Sequence, residues 1–515
     1  MAPQGPQSRP PRIPLSQLSH GPSSPQASWH DHRWPASPYL KGCGPRDLCR
    51  PALGHVGASL RLFGTSGIRG LVGQEVSPEL AVKLGMALAS LKGSGTYVVA
   101  RDARTTSPML AMSLSSGIMA CGGDVVDLGL LPTGALAFLS RELKAQAGCM
   151  ITASHNPPEY NGFKFFRQDS APFWPEEQEA IEKAISKGSF KLATWDKIGD
   201  CWCSDEAERY LKALSDLVEL NRSWKVVLDP GCGSASTLAP RAFRSIGCEV
   251  LAINASPDGH FPARSPDPRP DTVADLCSVV RASGADMGFA YDGDADRMVV
   301  VDEKGRFVPF DVALAAFSAY LIRSRGGGLV VTTVEASYCV EEAIREAGGD
   351  VVKTKVGDVA VSMEVARRGA TFGGEPCGAW IFPGVHLCAD GVLASLMVLK
   401  ALDEEGLRPS EFFGRVKALE VVRDKVSCPN GLKEAVMEAL SSELPSLFTG
   451  VRDVIDIDGI RVELQDGWVL VRPSGTEPVI RITAEAREAV RAREIASVAI
   501  GAVREAIRRA GGREG

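Results

Sequence analysis

Features that would place this 515-residue chain among membrane, nucleic-acid-binding or disulfide-bonded proteins are absent from its sequence. No apolar run reaches the ~18 residues that a membrane-spanning helix needs. The net charge of −6 gives no general attraction to nucleic acid or to an anionic membrane. The 13 cysteines are scattered and form no Cys-x-x-Cys pair, so we expect reduced thiols in a cytoplasmic protein. An anionic substrate must therefore be bound by local basic residues.

The first 59 residues lack apolar periodicity, although they carry 11 of the 33 prolines and four of the seven histidines. Such a segment cannot bury enough apolar surface to offset the entropy of ordering, so we expect residues 1–59 to be a disordered extension. Its basic, acid-poor composition suggests a transit peptide as one alternative, although its prolines oppose the amphipathic helix that such a peptide needs. A translation start placed too far upstream is the other alternative.

Three segments of the chain repeat one pattern, in which a buried strand is followed by a helix and a second strand. The first strands are predicted at residues 96–100, 225–229 and 329–333, and the second strands follow Gly122, Gly247 and Gly348. A strand, helix and strand of this length form a βαβ crossover, which implies parallel strands covered on both faces. We therefore predict three similar α/β domains with mixed sheets.

The last hundred residues follow a different pattern. Short strands between residues 454 and 471 precede a helix rich in Ala, Arg and Glu at about residues 486–510, which predicts an α+β domain. We place domain I at residues 60–203, domain II at 204–303, domain III at 304–414 and domain IV at 415–515.

A serine loop in domain I, Thr152-Ala-Ser-His-Asn-Pro157, follows a predicted strand. Ser154 would lie on the turn, where backbone N–H groups are free to hold an anion. A serine is a poor nucleophile unless it is activated, but it is a good phosphate carrier. Lys164 could supply charge to this loop or act as a base. A plain Ser/Asn/Pro turn explains the loop, taken alone, equally well.

An acidic loop in domain II places Asp292, Asp294 and Asp296 between two predicted strands. Three carboxylates so close together repel one another unless a cation lies between them, and hard oxygen ligands suit Mg²⁺. An EF-hand is excluded because Arg297 replaces the required glycine and strands flank the loop. We therefore predict one Mg²⁺ site.

Two further loops have the composition of a sugar-phosphate site. Glu375 lies in Gly373-Gly-Glu-Pro-Cys-Gly378, where it could accept hydrogen bonds from sugar hydroxyls, although an ordinary glycine-rich turn explains this loop as well. Arg472-Pro-Ser-Gly-Thr-Glu-Pro478, with Arg481 beyond it, combines a guanidinium fork with hydroxyls that can hold a phosphate, and helix capping is its alternative.

Together these loops closely resemble those of the α-D-phosphohexomutase superfamily, from about residue 60 to the end of the chain. The shared motifs are Phe63-Gly-Thr-Ser-Gly-Ile-Arg-Gly70, the serine loop, Asp292-Gly-Asp-Ala-Asp-Arg297, Gly-Gly-Glu-x-x-Gly and Arg-Pro-Ser-Gly-Thr-Glu-Pro. The resemblance implies four domains around a central cleft. It also implies a phosphorylated serine that exchanges its phosphoryl group with a hexose phosphate through a 1,6-bisphosphate intermediate.

The resemblance implies a role for each site residue. Ser154 carries the phosphoryl group, and its phosphate joins Asp292, Asp294 and Asp296 around one Mg²⁺. The other implied groups are Arg69, His155, Lys164 and Arg297 around the transferred phosphoryl group, Glu375 on the sugar, and Arg472, Ser474, Gly475, Thr476 and Arg481 on the second phosphate. Lys355, which follows the second strand of the third repeat at the edge where α/β sheets bind ligands, and Cys377 beside Glu375 are further candidates for substrate binding. We expect a hexose 1,6-bisphosphate to act as activator and the protein to be a monomer or a homodimer.

The sugar loop departs from the pattern of many relatives, because Cys377 replaces a serine and Ala379 replaces a histidine. A thiol is a weaker hydrogen-bonding group and alanine cannot titrate, so His386 becomes the candidate replacement for the missing ring and Lys164 the candidate base. The Pro-Cys-Gly-Ala-Trp form is most similar to that of archaeal phosphoglucosamine mutases, which favours glucosamine phosphate as substrate. Glucose or mannose phosphate, a non-catalytic sugar-phosphate binder and a phosphatase are the alternatives.

Overall fold

The computed structural model describes residues 61–475 and 477–512, so the predicted disordered extension at residues 1–59 lies outside the described residues. Every cysteine in the described part of the chain is a free thiol. Within the same residues, each helix is too short or too polar to cross a membrane.

Domain I is built on a mixed six-stranded sheet. Its strands are β1 (Ile68–Leu71), β2 (Gly95–Arg101), β3 (Gly123–Leu130), β4 (Ala147–Ile151), β5 (Tyr160–Phe166) and β6 (Cys201–Cys203). Its helices are α1 (Pro78–Lys92), α2 (Ser107–Ala120), α3 (Thr133–Glu142) and α4 (Pro175–Lys187). The sheet order is β1-β5-β4-β2-β3-β6, with β2 parallel to β3 and β4 and with β5 antiparallel to β4.

Domains II and III each contain a four-stranded sheet. Domain II comprises α5 (Ala207–Leu217), β7 (Lys225–Asp229), α6 (Leu238–Ser245), β8 (Glu249–Ala252), α7 (Ala274–Ser283), β9 (Met287–Tyr291) and β10 (Met298–Val301). Domain III comprises α8 (Phe310–Arg325), β11 (Leu329–Thr333), α9 (Tyr338–Glu346), β12 (Asp350–Thr354), α10 (Asp358–Arg368), β13 (Phe372–Gly374), β14 (Trp380–Ile381), α11 (Gly391–Glu405) and α12 (Pro409–Phe413). Their orders are β10-β9-β7-β8 and β12-β11-β13-β14.

The same four-strand arrangement recurs in all three sheets. The runs β3-β2-β4-β5, β8-β7-β9-β10 and β12-β11-β13-β14 each contain three parallel strands followed by one antiparallel strand. Gly122, Gly247 and Gly348 have φ values of 83°, 89° and 85°, so each lies in the left-handed region where a helix ends before the next strand. The three predicted repeats are therefore confirmed.

Domain IV is an antiparallel sheet covered by two helices, as predicted. Its elements are β15 (Glu420–Ser427), α13 (Lys433–Ser446), β16 (Val451–Ile455), β17 (Ile460–Leu464), β18 (Gly467–Pro473), β19 (Val479–Ala486) and α14 (Ala489–Arg509). The strand order is β15-β19-β18-β17-β16, and apolar residues of α13 and α14 pack on one face of the sheet. We propose the predicted domain boundaries at residues 203/204, 303/304 and 414/415, because a new sheet begins after each of them.

One hydrophobic core joins domains I, II and III. Helix α11 lies at its centre, where it contacts α3 of domain I, α6, β9 and β10 of domain II, and α8 and β14 of domain III. Residues Val312 to Ile322 of α8 are all buried, which explains why this helix is apolar on every side. The loops between strands are therefore held on a shared rigid centre.

Helices α1 and α2 pack closely because each has a glycine at the contact. A Cβ atom at Gly117 would lie 2.2 Å from the carbonyl oxygen of Val82, and one at Gly85 would lie 2.1 Å from that of Leu114. Neither carbonyl can move without disturbing its own helix, so even one added methyl group would force the helices apart.

We predict that Gly117→Ala destabilises the protein by about 1–3 kcal/mol, measured as a lower Tm or a lower urea midpoint. The matched control is Gly501→Ala in α14, where an added Cβ meets no atom within 4 Å. That control should leave stability unchanged or raise it by up to about 1 kcal/mol. Equal effects of the two substitutions would contradict this account of the α1–α2 contact.

Candidate active site

Three of the four predicted loops occupy the same position in their sheets. The serine loop joins β4 to β5, the acidic loop joins β9 to β10, and the sugar loop joins β13 to β14. Each therefore connects the last parallel strand of its sheet to the antiparallel strand, at the carboxyl edge where α/β sheets bind ligands. The repeated fold brings three chemically different loops together.

Ser154 lies on a strained turn and is buried. Its φ of 52° lies in the left-handed region, which costs a non-glycine residue about 1–2 kcal/mol. Its N–H donates to Thr152 Oγ1 at 2.8 Å, and its hydroxyl donates to Asp292 Oδ2 at 2.7 Å. Nδ1 of His155 lies 3.3 Å from the same hydroxyl oxygen. The serine and acidic loops therefore meet at the serine oxygen.

A buried ion pair that we did not predict fixes the serine loop. Arg104 donates through Nε to Asp102 Oδ2 at 2.9 Å, and its Nη atoms donate to the carbonyl oxygens of Ser154, Asn156, Pro157 and Tyr160. Its guanidinium thus supplies the hydrogen-bond donors that the carbonyl oxygens of this turn would otherwise lack. The only signal in the sequence is a charged Arg-Asp-Ala-Arg stretch that begins at the last residue of β2.

The acidic loop is supported in the same way. Arg264 donates to Asp229 Oδ2 at 2.9 Å and to the carbonyl oxygen of Tyr291, the last residue of β9, at 2.7 Å. Ala295, between two of the aspartates, has a φ of 56°. Domains I and II therefore each use a buried Arg–Asp pair to hold a strained functional loop.

The three aspartates form a buried cluster. One carboxylate oxygen from each of Asp292, Asp294 and Asp296 lies within 4.8 Å of the other two. The Nζ atom of Lys164 donates to Asp294 Oδ2 at 2.7 Å and to Asp296 Oδ2 at 2.5 Å. Thr133 also donates to Asp294 Oδ2, at 2.6 Å. Lys164 is therefore drawn into the cluster from β5.

Charge interactions shift the pKa values of these groups in opposite directions. Burial, together with Asp296 and Asp294, raises the pKa of Asp292 well above its ordinary value. Burial also raises the pKa of Asp294, but contact with Lys164 outweighs it and the net pKa is lowered. Burial lowers the pKa of Lys164, whereas Asp294 and Asp296 raise it further, so the net pKa is raised. Lys164 is thus held as a cation.

The cluster retains capacity for a metal ion. Oδ1 of Asp294 and Oδ1 of Asp296 are buried, and neither has a hydrogen-bond partner among the described residues. A buried carboxylate oxygen without a donor is costly, and a cation would satisfy both at once. Three carboxylates and a serine hydroxyl form an all-oxygen donor set, which suits a hard divalent ion. Glu303, which would be the twelfth residue of an EF-hand loop beginning at Asp292, instead accepts from the N–H of Ser410.

Three further predicted residues surround the serine. Arg69 on β1 donates to Asn156 Oδ1 at 3.2 Å, and its Nε has no partner within the described range. Arg297 lies 3.9 Å from Asp296. Arg297, burial and Arg69, in that order, hold the pKa of His155 well below its ordinary value. The result is two cations beside a neutral imidazole.

The sugar loop contacts both neighbouring loops. Ala379 pairs with Arg297 in an isolated β-bridge, so the sugar and acidic loops touch. Glu375 Oε2 accepts from the N–H of Gly357 at 2.8 Å, which joins it to the loop that contains Lys355. Cys377 is half-buried and Lys355 is exposed. Glu375 therefore links the sugar loop to the loop of Lys355, while Ala379 links it to the acidic loop.

Our expectation for His386 is wrong. Its Nε2 lies 3.0 Å from Asp390 Oδ2, and its Nδ1 accepts from the N–H of Cys388 at 3.3 Å. Asp390 caps α11 and also accepts from Tyr210, so the imidazole belongs to a buried helix cap. It does not replace the histidine that relatives have at position 379.

The phosphate-binding composition of domain IV lies at the turn between β18 and β19. Arg472 donates to Glu335 Oε1 at 2.8 Å and lies 3.5 Å from Asp458, and its Nε has no partner in the described part of the chain. Ser474 is buried, and its hydroxyl accepts from the N–H of Glu477. Gly475 is exposed, and Thr476 lies outside the described residues.

A row of three basic residues crosses this sheet. Arg481 is directly opposite Arg472 on one side and Lys425 on the other. Like charges in opposed positions destabilise a sheet, and Glu477 offsets them by pairing with both Arg481 and Lys425. Lys425 could not be predicted, because strand pairing alone brings it beside Arg481. The row therefore adds one basic residue to the two arginines of the predicted phosphate site.

Comparison with known proteins identifies the family of this chain. Family models for phosphoglucomutase/phosphomannomutase match in sequence order: alpha/beta/alpha domain I at residues 60–192, domain II at 208–305, domain III at 310–419 and the C-terminal domain at 417–500. The chain belongs to the phosphoglucomutase/phosphomannomutase family. The resemblance that we drew from the loops is therefore confirmed.

Individual relatives cover nearly the whole described chain. A protein of Methanothermobacter thermautotrophicus named "Probable phosphoglucosamine mutase" is 45% identical over 437 residues, which are 84% of this chain and 96% of the relative. A protein of the same name from Pyrococcus abyssi is 43% identical over 450 residues, 87% of this chain and 99% of the relative. A solved phosphoglucomutase/phosphomannomutase family protein from Burkholderia thailandensis is 29% identical, has a TM-score of 0.78, and covers 86% of this chain and 97% of its own.

The ionisation of Glu375 should make the stability of the protein depend on pH. Burial raises its pKa to about 7, with Asp358 and Glu335 adding to the shift and Arg297 and the Gly357 N–H opposing it. A folded-state pKa above the unfolded value means that stability is lost as the pH rises through about 7.

We predict that Glu375→Gln, which cannot ionise, gains stability relative to the wild type by up to about 3 kcal/mol between pH 5 and pH 8 without substrate. Thermal unfolding at several pH values measures the difference. Glu364→Gln is the control, because Glu364 pairs with Arg368 at the surface of α10. A stability difference between Glu375→Gln and wild type that does not change with pH would contradict the raised pKa.

Proposed function

We propose that the chain is a phosphohexomutase that interconverts glucosamine 6-phosphate and glucosamine 1-phosphate. The observation that carries this proposal is the 2.7 Å hydrogen bond from the Ser154 hydroxyl to Asp292, which puts a strained serine against a buried cation site. Family membership and the names of the relatives support the same reaction and substrate. The basic row of domain IV supplies a separate place for a second phosphate.

In the proposed reaction, phospho-Ser154 transfers its phosphoryl group to the free hydroxyl of a hexose monophosphate. The bond from phosphorus to the serine oxygen breaks as a bond to the sugar oxygen forms, which gives a hexose 1,6-bisphosphate. The bisphosphate then turns in the cleft, and its other phosphoryl group returns to Ser154. A trace of hexose 1,6-bisphosphate would activate the enzyme by phosphorylating Ser154.

The residues around Ser154 have distinct proposed roles. Asp292, Asp294 and Asp296 would hold Mg²⁺ with the serine phosphate, and the ion would neutralise charge on the transferring group. Arg69 and Arg297 are the cations left to bind the phosphoryl oxygens. Preorganised charges of this kind are most of what phosphoryl transfer needs from a protein.

The proton of the attacking hydroxyl requires an acceptor. The sequence suggested that Lys164 either supplies positive charge or acts as a base. Its ion pairs with Asp294 and Asp296 support the first role. His155 is the better placed base, because its Nδ1 lies 3.3 Å from the Ser154 oxygen. We assign proton transfer to His155 and electrostatic support to Lys164.

The remaining predicted residues bind the substrate. Glu375 and Cys377 would contact the hydroxyl groups of the sugar, and Lys355 lies on the adjoining loop. The second phosphate would be held by Arg472, Ser474, Gly475, Thr476 and Arg481, with Lys425 as an addition from the structure. One phosphate site must accept both ends of the sugar in turn, which accounts for a basic cluster in an acidic protein.

A substrate panel tests this function. Purified protein with Mg²⁺ and a trace of hexose 1,6-bisphosphate is given glucosamine, glucose and mannose 6-phosphates, and kcat/KM is compared. We expect isomerisation of all three, with glucosamine phosphate preferred by about tenfold or more. A preference for glucose or mannose phosphate would contradict the proposed substrate. Release of inorganic phosphate as fast as isomerisation would indicate a phosphatase instead.

A further inference from the structure

Three carboxylates of domain III lie on neighbouring loops that contact domains I and IV. Glu375 is the middle one. Asp358 follows Gly357, whose N–H donates to Glu375 Oε2, and Glu335 binds Arg472. Both Asp358 and Glu335 act electrostatically on Glu375. We call Asp358, Glu375 and Glu335 the acidic wall.

The two outer carboxylates mark opposite ends of this wall. Asp358 lines a small cavity together with Ser66 and Lys164, and it interacts electrostatically with Lys164 and Arg69, so it lies on the side of domain I. Glu335 contacts the guanidinium of Arg472, so it lies toward the second phosphate. The wall therefore has one end beside Lys164 of domain I and the other beside Arg472 of domain IV.

Asp358 has unused binding capacity. It is 9% exposed, and its Oδ1 is buried with no hydrogen-bond partner among the described residues. A carboxylate oxygen buried in this way needs a donor. Neutral sugar hydroxyls could donate to it, but they would bring no positive charge to this group of acidic residues. A protonated amine would supply both a donor and a positive charge.

A hexosamine phosphate could place its amino group at either end of the acidic wall. The amino group is on C2, beside C1, so it lies near whichever end of the cleft holds C1. With the 6-phosphate bound at Arg472, C1 faces Ser154 and the amino group lies toward Asp358. After the bisphosphate turns, the 1-phosphate occupies the Arg472 site and the amino group lies toward Glu335.

We propose that Asp358 and Glu335 are specificity residues that bind the 2-ammonium group in the two orientations of the substrate, with Glu375 between them on the 3-hydroxyl. This inference rests on the proposed function, because it needs one site to bind the sugar both ways. It explains how the chain recognises an amino sugar although Cys377 and Ala379 replace the polar residues of other relatives.

The first test compares wild type with Asp358→Asn and Glu335→Gln, using glucosamine and glucose 6-phosphates. We expect each variant to lower the glucosamine-to-glucose ratio of kcat/KM by about 10- to 100-fold, since a charged hydrogen bond is lost for the amino sugar alone. Glu364→Gln on α10 is the matched control and should keep the wild-type ratio. Turnover of glucose phosphate and an unchanged Tm show that a variant is folded.

The second test separates the two orientations. Dissociation constants are measured by calorimetry in a Ser154→Ala background, where turnover is blocked. We expect Asp358→Asn to raise the dissociation constant of glucosamine 6-phosphate about tenfold more than that of glucosamine 1-phosphate. Glu335→Gln should show the reverse order. Equal weakening of both ligands would contradict the assignment of one residue to each orientation.

The outcomes distinguish this inference from the proposed function. One outcome is that wild type isomerises hexose phosphates and prefers glucosamine phosphate while both variants keep the wild-type glucosamine-to-glucose ratio of kcat/KM. In that case the acidic wall does not bind the amino group, and the proposed function stands. If wild type shows no preference for the amino sugar, both the proposed substrate and the wall are wrong. If wild type has no mutase activity, the proposed function fails, and the binding constants still decide whether the wall reads the amine.

Discussion

Mutual repulsion among three buried carboxylates is the constraint on which the rest of this site depends. Asp292, Asp294 and Asp296 cannot remain ionised so close together and away from water without compensating positive charge. Lys164 provides part of that charge from domain I. Oδ1 of Asp294 and Oδ1 of Asp296, which accept no hydrogen bond from the described residues, could bind a metal ion. The interface of domains I and II is therefore stabilised by the same charges that would serve catalysis.

Triplication of one sheet explains how a single chain assembles such different groups. The connection from the last parallel strand to the antiparallel strand carries a serine in domain I, three aspartates in domain II and a glutamate in domain III. Because α11 packs against all three domains, these connections are held around one buried centre. The chemistry can differ between the loops, while the framework that positions them stays the same.

Local patterns predicted most of this arrangement, whereas pairing between distant residues could not be predicted. Ser154 and the three aspartates were identified because their loops combine unusual composition with flanking strands. Arg104 and Arg264 were missed, because an arginine that donates to backbone carbonyls looks like any surface arginine until its burial is known. Lys425 depends on strand register, and His386 was misassigned because its real partner, Asp390, is a helix cap.

The central claim is that Ser154 carries the phosphoryl group, and isotope transfer tests it most directly. Protein incubated with Mg²⁺ and hexose 1,6-bisphosphate labelled in its phosphates is digested, and the label is located by mass spectrometry. A second sample is chased with unlabelled glucosamine 6-phosphate. Our account predicts label on Ser154 that leaves with the sugar during the chase, and no label in Ser154→Ala, which folds normally but is inactive. Label on another residue, or near-wild-type turnover in Ser154→Ala, would contradict it.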